Sequence, residues 1–237
     1  MENLNREMNS YNENGQALIP KTSFAEQMAK VYGWMFVGLA MTAGIAIFTA
    51  NSSLRFLALD RFTYLILAVI ELGFVWYLSS KVFEMKYENA AAMFVIYSGL
   101  NGLTFSIIFF RYNLGSIATV FFITSALFGF MSVYGLVTKQ DLTKWGQMFI
   151  VGLFGIIIAT LANIFMKSDT LSMIISYIGV AVFLGLTAYD SKKLKEIYTY
   201  YAGTQKENNV AIIGALTLYL DFINLFLFIL RILGRKK

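Results

Sequence analysis

The 237-residue sequence predicts an all-α membrane protein, a seven-transmembrane-helix bundle with the last helix central. Hydrophobic residues make up 58% of the chain and charged residues only 14%, with a mean hydropathy of +0.64, against roughly 25% charged residues in soluble domains. The apolar residues gather in runs of about twenty, long enough to carry a helix across a hydrocarbon core of roughly 30 Å. The alternating ten-residue runs of a membrane barrel are absent. The last run is apolar all round, as expected of a helix enclosed by other helices.

The elements follow in order. Residues 1–20, rich in Asn and Glu, read as a disordered polar tail without the apolar stretch of a cleaved signal peptide. A single seven-helix domain then fills 21–237. After Pro20, Ser23 and Glu26 have the spacing of a capping box, which predicts a short amphipathic helix running into the first span. Spans are expected at about 31–50, 62–80, 89–110, 116–137, 146–166, 171–190 and 210–230. The single proline precedes all of them, so none has a proline kink. Gly152, Gly155, Ala159 and Asn163 in one span, and Ser125, Gly129 and Ser132 in another, lie at helical spacing and predict faces where backbones approach closely.

Cytoplasmic loops carry the excess of Lys and Arg. The amino-terminal side holds Arg6, Lys21, Lys30, Lys81, Lys86, Lys139, Lys144, Lys192, Lys193, Lys195 and Lys206, eleven in all. The opposite side holds Arg55, Arg61, Arg111 and Lys167, joined by Arg231, Arg235, Lys236 and Lys237 if the last segment crosses fully. On either count the amino terminus is expected in the cytoplasm, which suits a multi-pass protein of the cell (inner) membrane. Seven full crossings place the basic carboxy terminus outside, whereas a re-entrant last segment returns it to the cytoplasm. The reading favours seven crossings.

There is no cysteine and no histidine. Disulfides, thiol nucleophiles, haem ligation and His or Cys zinc sites are therefore excluded, and proton sensing near neutrality falls to carboxylates. The net charge of +5 does not point to nucleic acid, because the basic residues sit at helix ends and do not cluster with stacking aromatics.

A charge near the bilayer centre costs about 2.5 to 3.5 kcal/mol on insertion scales, so such a residue must face the bundle, find a partner or hold a proton. Glu71 lies mid-span, Asp190 closes the sixth span, and Asp221 lies near the centre of the seventh. Gly214, Thr217, Asp221 and Asn224, three or four residues apart, share one helix side, which is expected to be buried. Intramembrane ionisable residues mark ion or proton paths by default, and that reading of Asp221 outweighs interhelical glue. Asp190 stands beside Lys192 and Lys193, where a solvated carboxylate is an even alternative, and Glu71 is weighted evenly too. Asn101 and Asn163 read as helix glue.

The string Leu218-Tyr219-Leu220-Asp221-Phe222-Ile223-Asn224-Leu225-Phe226, preceded by Tyr189-Asp190, resembles the signature of the transmembrane Bax inhibitor motif family. Gly102-Leu103-Thr104-Phe105-Ser106, Thr138-Lys139-Gln140-Asp141-Leu142 with Gly146, and Asn163-Ile164-Phe165 extend the likeness over nearly everything after the polar tail. The resemblance implies a seven-helix bundle, a calcium leak sensitive to pH, and an aspartate pair sharing a proton, here Asp190 and Asp221. Glu71 matches the second-span acid of bacterial relatives. An arginine that latches the sixth-span aspartate in some relatives is replaced here by Val82, and Lys81 points about 100° away around the helix.

Two touching carboxylates in a poorly solvated site share one proton, and its loss pushes their helices apart. Calcium prefers oxygen ligands, and two carboxylates supply enough for a weak, transient contact only. The expectation is thus a pH-sensitive calcium leak channel or cation transporter, with Asp190 and Asp221 as pH sensor and calcium contact, and with Glu71, Thr217 and Asn224 in support. No enzymatic activity and no cofactor are expected, calcium being the transported ion. The expected partners are the lipid bilayer, calcium and protons, with no nucleic acid. A membrane interaction protein that modulates a membrane protease or cell-death machinery is the alternative. An intramembrane aspartyl protease is a minor one, since Asp221 lacks a glycine two residues upstream and the spans lack proline.

Overall fold

A computed structural model describes residue 20 and residues 22–237, and the polar tail, Arg6 and Lys21 lie outside the described residues. Seven long helices make up the described chain: α1 (Phe24–Ala50), α2 (Arg61–Lys81), α3 (Tyr87–Arg111), α4 (Leu114–Val137), α5 (Thr143–Met166), α6 (Asp169–Tyr201) and α7 (Glu207–Leu233). All seven are long and apolar enough to cross a membrane. A 3-10 turn, Ser53–Arg55, and one helical turn, Phe56–Leu59, connect α1 to α2.

Local chemistry sets the helix ends. The capping box forms: the Glu26 amide donates to Ser23 Oγ at 3.2 Å and the Ser23 amide to Glu26 Oε2 at 2.7 Å. The segment it starts is continuous with the first span, giving 27 helical residues. Asp60 caps α2, accepting from the Thr63 amide at 2.8 Å and hydroxyl at 2.7 Å, and these bonds hold its carboxyl below the usual carboxylate range. The α5–α6 turn closes through Lys167 in the left-handed region (φ 50°) and Asn163 Oδ1, which accepts from the Ser168 amide at 3.0 Å. Asn163 is therefore a cap.

The sixth helix differs from its predicted span. It continues eleven residues past Asp190 to Tyr201, about 16 Å. Its polar sequence hid this extension, which is amphipathic: Leu194 and Tyr198 are buried, and Leu194 reaches Gly214 of α7. Asp190 thus lies inside a long helix and does not end one.

Burial is uneven. In α7, 72% of the most apolar window is buried, against 6% in α2 and in α5. The last helix packs on α1, α3, α4 and α6, with Tyr219 fully buried and its hydroxyl 2.7 Å from Thr42 Oγ1. Phe94 and Tyr97 of α3 meet the Tyr219 ring edge-on.

The ends of α7 show how it crosses. Beside its start, Glu207 accepts from the Thr22 amide and hydroxyl, next to the beginning of α1. After its end, Lys236 forms a β-bridge with Tyr112, and the Asn113 amide donates to Arg235 O at 3.1 Å, in the α3–α4 turn. The segment therefore runs the full length of the bundle, and the re-entrant alternative falls.

The predicted small-residue faces hold only in part. A Cβ on Gly152 would lie 3.1 Å from Val182, but one on Gly155 or Gly129 would meet nothing within 4 Å, because those positions turn away from the neighbouring helices. The close approach of α4 to α6 is made by Gly135, whose missing Cβ would run into the Ala188 carbonyl. Gly135→Ala should lower the stability of the detergent-solubilised protein by about 1–3 kcal/mol, read as a lower thermal midpoint. Gly129→Ala should change it by no more than about 0.5 kcal/mol.

Candidate functional site: a carboxyl pair between the sixth and seventh helices

Asp221 projects from the most buried helix and is itself only 5% exposed. Among the described residues its Oδ2 accepts from no hydroxyl, amide or cation. What stands against it is the carboxyl of Asp190 on α6, within side-chain hydrogen-bonding reach. A buried acceptor without a donor is destabilising. If one carboxyl holds a proton, it can donate to the other, whereas two ionised carboxylates can make no hydrogen bond to each other.

Glycines seat this part of α6 on α4 and α5. Ala188 lies on Gly135 of α4, and the Tyr189 ring lies on Gly146 of α5, so the two residues before Asp190 are clamped on both sides. On the far side, Lys192 donates to Gln140 O in the α4–α5 loop. That loop is the Thr138–Leu142 string: Thr138 Oγ1 accepts from the Gln140 amide at 3.3 Å and Asp141 Oδ1 from the Thr143 amide at 2.9 Å. The Thr143 hydroxyl and amide hold the exposed Asp141 below the usual carboxylate range, leaving an anion facing Lys192 and Lys144. The motif therefore braces α6 two residues along from Asp190.

The cation whose charge acts on Asp190 is Lys193, exposed and with Nζ 5.6 Å from the Tyr189 ring centroid. No cation from α2 takes a latch's place. Val82 is fully buried, with its carbonyl accepting from Asn209 Nδ2 at 2.5 Å, and Lys81 pairs with Glu84 at 2.8 Å.

The other predicted residues are not gathered here. Gly214 is packed, its missing Cβ 2.9 Å from Val31, but Thr217 and Asn224 are only half-buried. Asn224 Nδ2 donates to Leu220 O of its own helix at 2.8 Å, which corrects the expectation of a wholly buried stripe. Glu71 is half-buried on the α2–α3 seam, where it accepts from Thr104 Oγ1 at 2.9 Å. Asn101 Nδ2 bonds Tyr97 O within α3.

Two features escaped the sequence reading. One is a hydroxyl chain, Tyr32 to Ser132 at 2.6 Å and Ser132 to Ser191 at 2.7 Å, which joins α1, α4 and α6 one residue along from Asp190. Ser132 had been read as a small packing residue, although its hydroxyl was the available signal. The other is Glu207, fully buried at the start of α7, which also accepts from the Gly203 amide at 2.7 Å.

Chemically the pair can hold one proton or offer oxygen ligands to a hard cation. Among the described residues no group of three or more carboxylates could cage a metal ion. If the pair holds one proton, its loss would put two anions in contact, and the thermal midpoint should then fall as pH rises through that titration. Asp221→Asn, which keeps a donor and has no proton to lose, should flatten that fall; melting curves across a pH series check it.

The model of a family described as inhibitor of apoptosis-promoting Bax1 matches residues 25–237. The inner membrane protein YbhL of Escherichia coli (strain K12) is 43% identical over 222 residues, covering 92% of this chain and 95% of its own. An uncharacterized protein of Borreliella burgdorferi is 40% identical over 225 residues, covering 94% and 96%. One from Deinococcus radiodurans is 43% identical over 206 residues, covering 86% and 88%.

Proposed function

The chain belongs to the Bax inhibitor family, and from that premise we propose that it is a pH-sensitive calcium leak, a channel-like cation pathway governed by the proton shared between Asp190 and Asp221. The observation that carries the reading is the buried Asp221 carboxyl, faced by Asp190 and given no other donor at Oδ2. With the proton in place the pair ties α6 to α7. Without it, two like charges in a poorly solvated site repel, and the α6–α7 contact becomes the moving part. In that state the two carboxylates are oxygen ligands for a passing calcium ion, too few to retain it. Thus calcium is cargo, and the protein works without a cofactor and not as an enzyme.

Several features support the rest of the pathway. Glu71 and Thr104 place a second polar station in the seam of the weakly buried α2. The excess of Lys and Arg on the amino-terminal side supports a cytoplasmic amino terminus, and the inner-membrane relative supports the same location here. Interaction with a membrane protease or cell-death machinery is a second reading, and the family description favours it.

Reconstituted in liposomes, the protein should pass calcium at a rate that changes with pH, and Asp221→Asn should remove at least about nine-tenths of that change, the tenfold effect expected when about 1.4 kcal/mol of coupling is lost. A wild-type pH profile retained in Asp221→Asn would contradict the mechanism.

A further inference from the structure

The face of the bundle opposite the amino-terminal ends carries a polar pocket of about 540 Å³ where α3, α6 and α7 meet. Arg111, Arg231, Lys236 and Lys237 line it together with Ser172 and one carboxylate, Asp169. The tail that supplies the lysines is tied down: the Arg235 amide donates to Ser116 Oγ at 2.9 Å, the Lys237 amide to Arg111 O at 3.0 Å, and Lys237 Nζ to Phe109 O at 2.7 Å. Among the described residues no carboxylate lies within 4.0 Å of any of the four cations, and the ion pair found, Lys81 with Glu84, is at the other end of the bundle. The Arg231 guanidinium instead lies 5.8 Å from the Phe228 ring centroid.

Four cations held around one small space repel each other, and one carboxylate does not balance them. The start of α6 at Asp169 adds the positive end of a helix dipole. An anion relieves this arrangement, and a phosphate suits it best, because its oxygens accept from guanidinium and ammonium donors at once. The pocket lies where the spans end, at the level of lipid headgroups. Two residues along the chain from the lining Tyr112 and Arg231, Leu114 is 65% and Leu233 53% exposed, apolar surface of the kind acyl chains cover.

We propose that this pocket binds the phosphate of an anionic lipid headgroup, with Arg111, Arg231, Lys236 and Lys237 as its donors. The headgroup carries net negative charge: a zwitterionic lipid would bring an ammonium into a cationic pocket, and free phosphate would leave the flanking leucines uncovered. The site is separate from the carboxyl pair and stands independently of it.

Native mass spectrometry of the full chain in neutral detergent, with phosphatidylglycerol, phosphatidylcholine or inorganic phosphate added, tests it. Phosphatidylglycerol should be retained in preference to phosphatidylcholine. Arg231→Gln and Lys236→Gln should each weaken that retention roughly fivefold, the effect of one juxtamembrane cation, while Lys206→Gln at the other end leaves it unchanged. Asp169→Asn should strengthen it, a gain that no misfolded variant can produce. Equal retention of the two lipids, retention insensitive to these substitutions, or occupancy by inorganic phosphate without retained lipid would overturn the assignment.

Discussion

The organising constraint is the enclosure of one carboxyl in an apolar bundle. Asp221 has no hydroxyl, amide or cation donating to Oδ2, and the group that reaches it is another carboxyl. Lipid solvates a charge poorly, and the helix that carries Asp221 packs against α1, α3, α4 and α6. For Asp190 to reach it, α6 must approach α7 closely, which Gly179 packed against Phe228 and Gly214 packed against Leu194 permit, while Gly135 and Gly146 seat α6 on α4 and α5. The arrangement of helices around the pair follows from these two requirements.

Packing around the pair is uneven. The α3–α7 contact is built from Tyr219, Phe94 and Tyr97, with the Tyr219 hydroxyl on Thr42 of α1, an interlocked core. By contrast α2 and α5 are buried over only 6% of their windows. The carboxyl pair bridges α6 and α7 beside that core, where under the proposed mechanism a change in repulsion would act on a single helix contact.

Much of this was legible in the sequence for physical reasons. Runs of about twenty apolar residues give seven helices because lipid leaves the backbone no other partners. Ser23 and Glu26 announce a cap through their spacing alone. Asp190 and Asp221 stood out as charges in the wrong solvent, but their contact came only through the family resemblance, since helix periodicity says which face a residue occupies and not which helix lies opposite. The same gap hid the Tyr32–Ser132–Ser191 chain and the Gly135 contact, both of which depend on interhelical register. Asn224 fell on the right helix side yet bonds its own backbone, because a half-buried amide finds the carbonyl four residues back at hand. The amphipathic extension of α6 was missed because Lys192, Lys193 and Lys195 dominate its composition, while the side that docks is carried by Leu194 and Tyr198.

The central claim is that one proton is shared between Asp190 and Asp221, and infrared spectroscopy of the purified protein addresses it directly. The account predicts a protonated-carboxyl band at neutral pH that disappears on alkaline titration and is lost or shifted in both Asp190→Asn and Asp221→Asn. A band unaffected by either substitution, or the absence of any protonated carboxyl assignable to the pair, would contradict it.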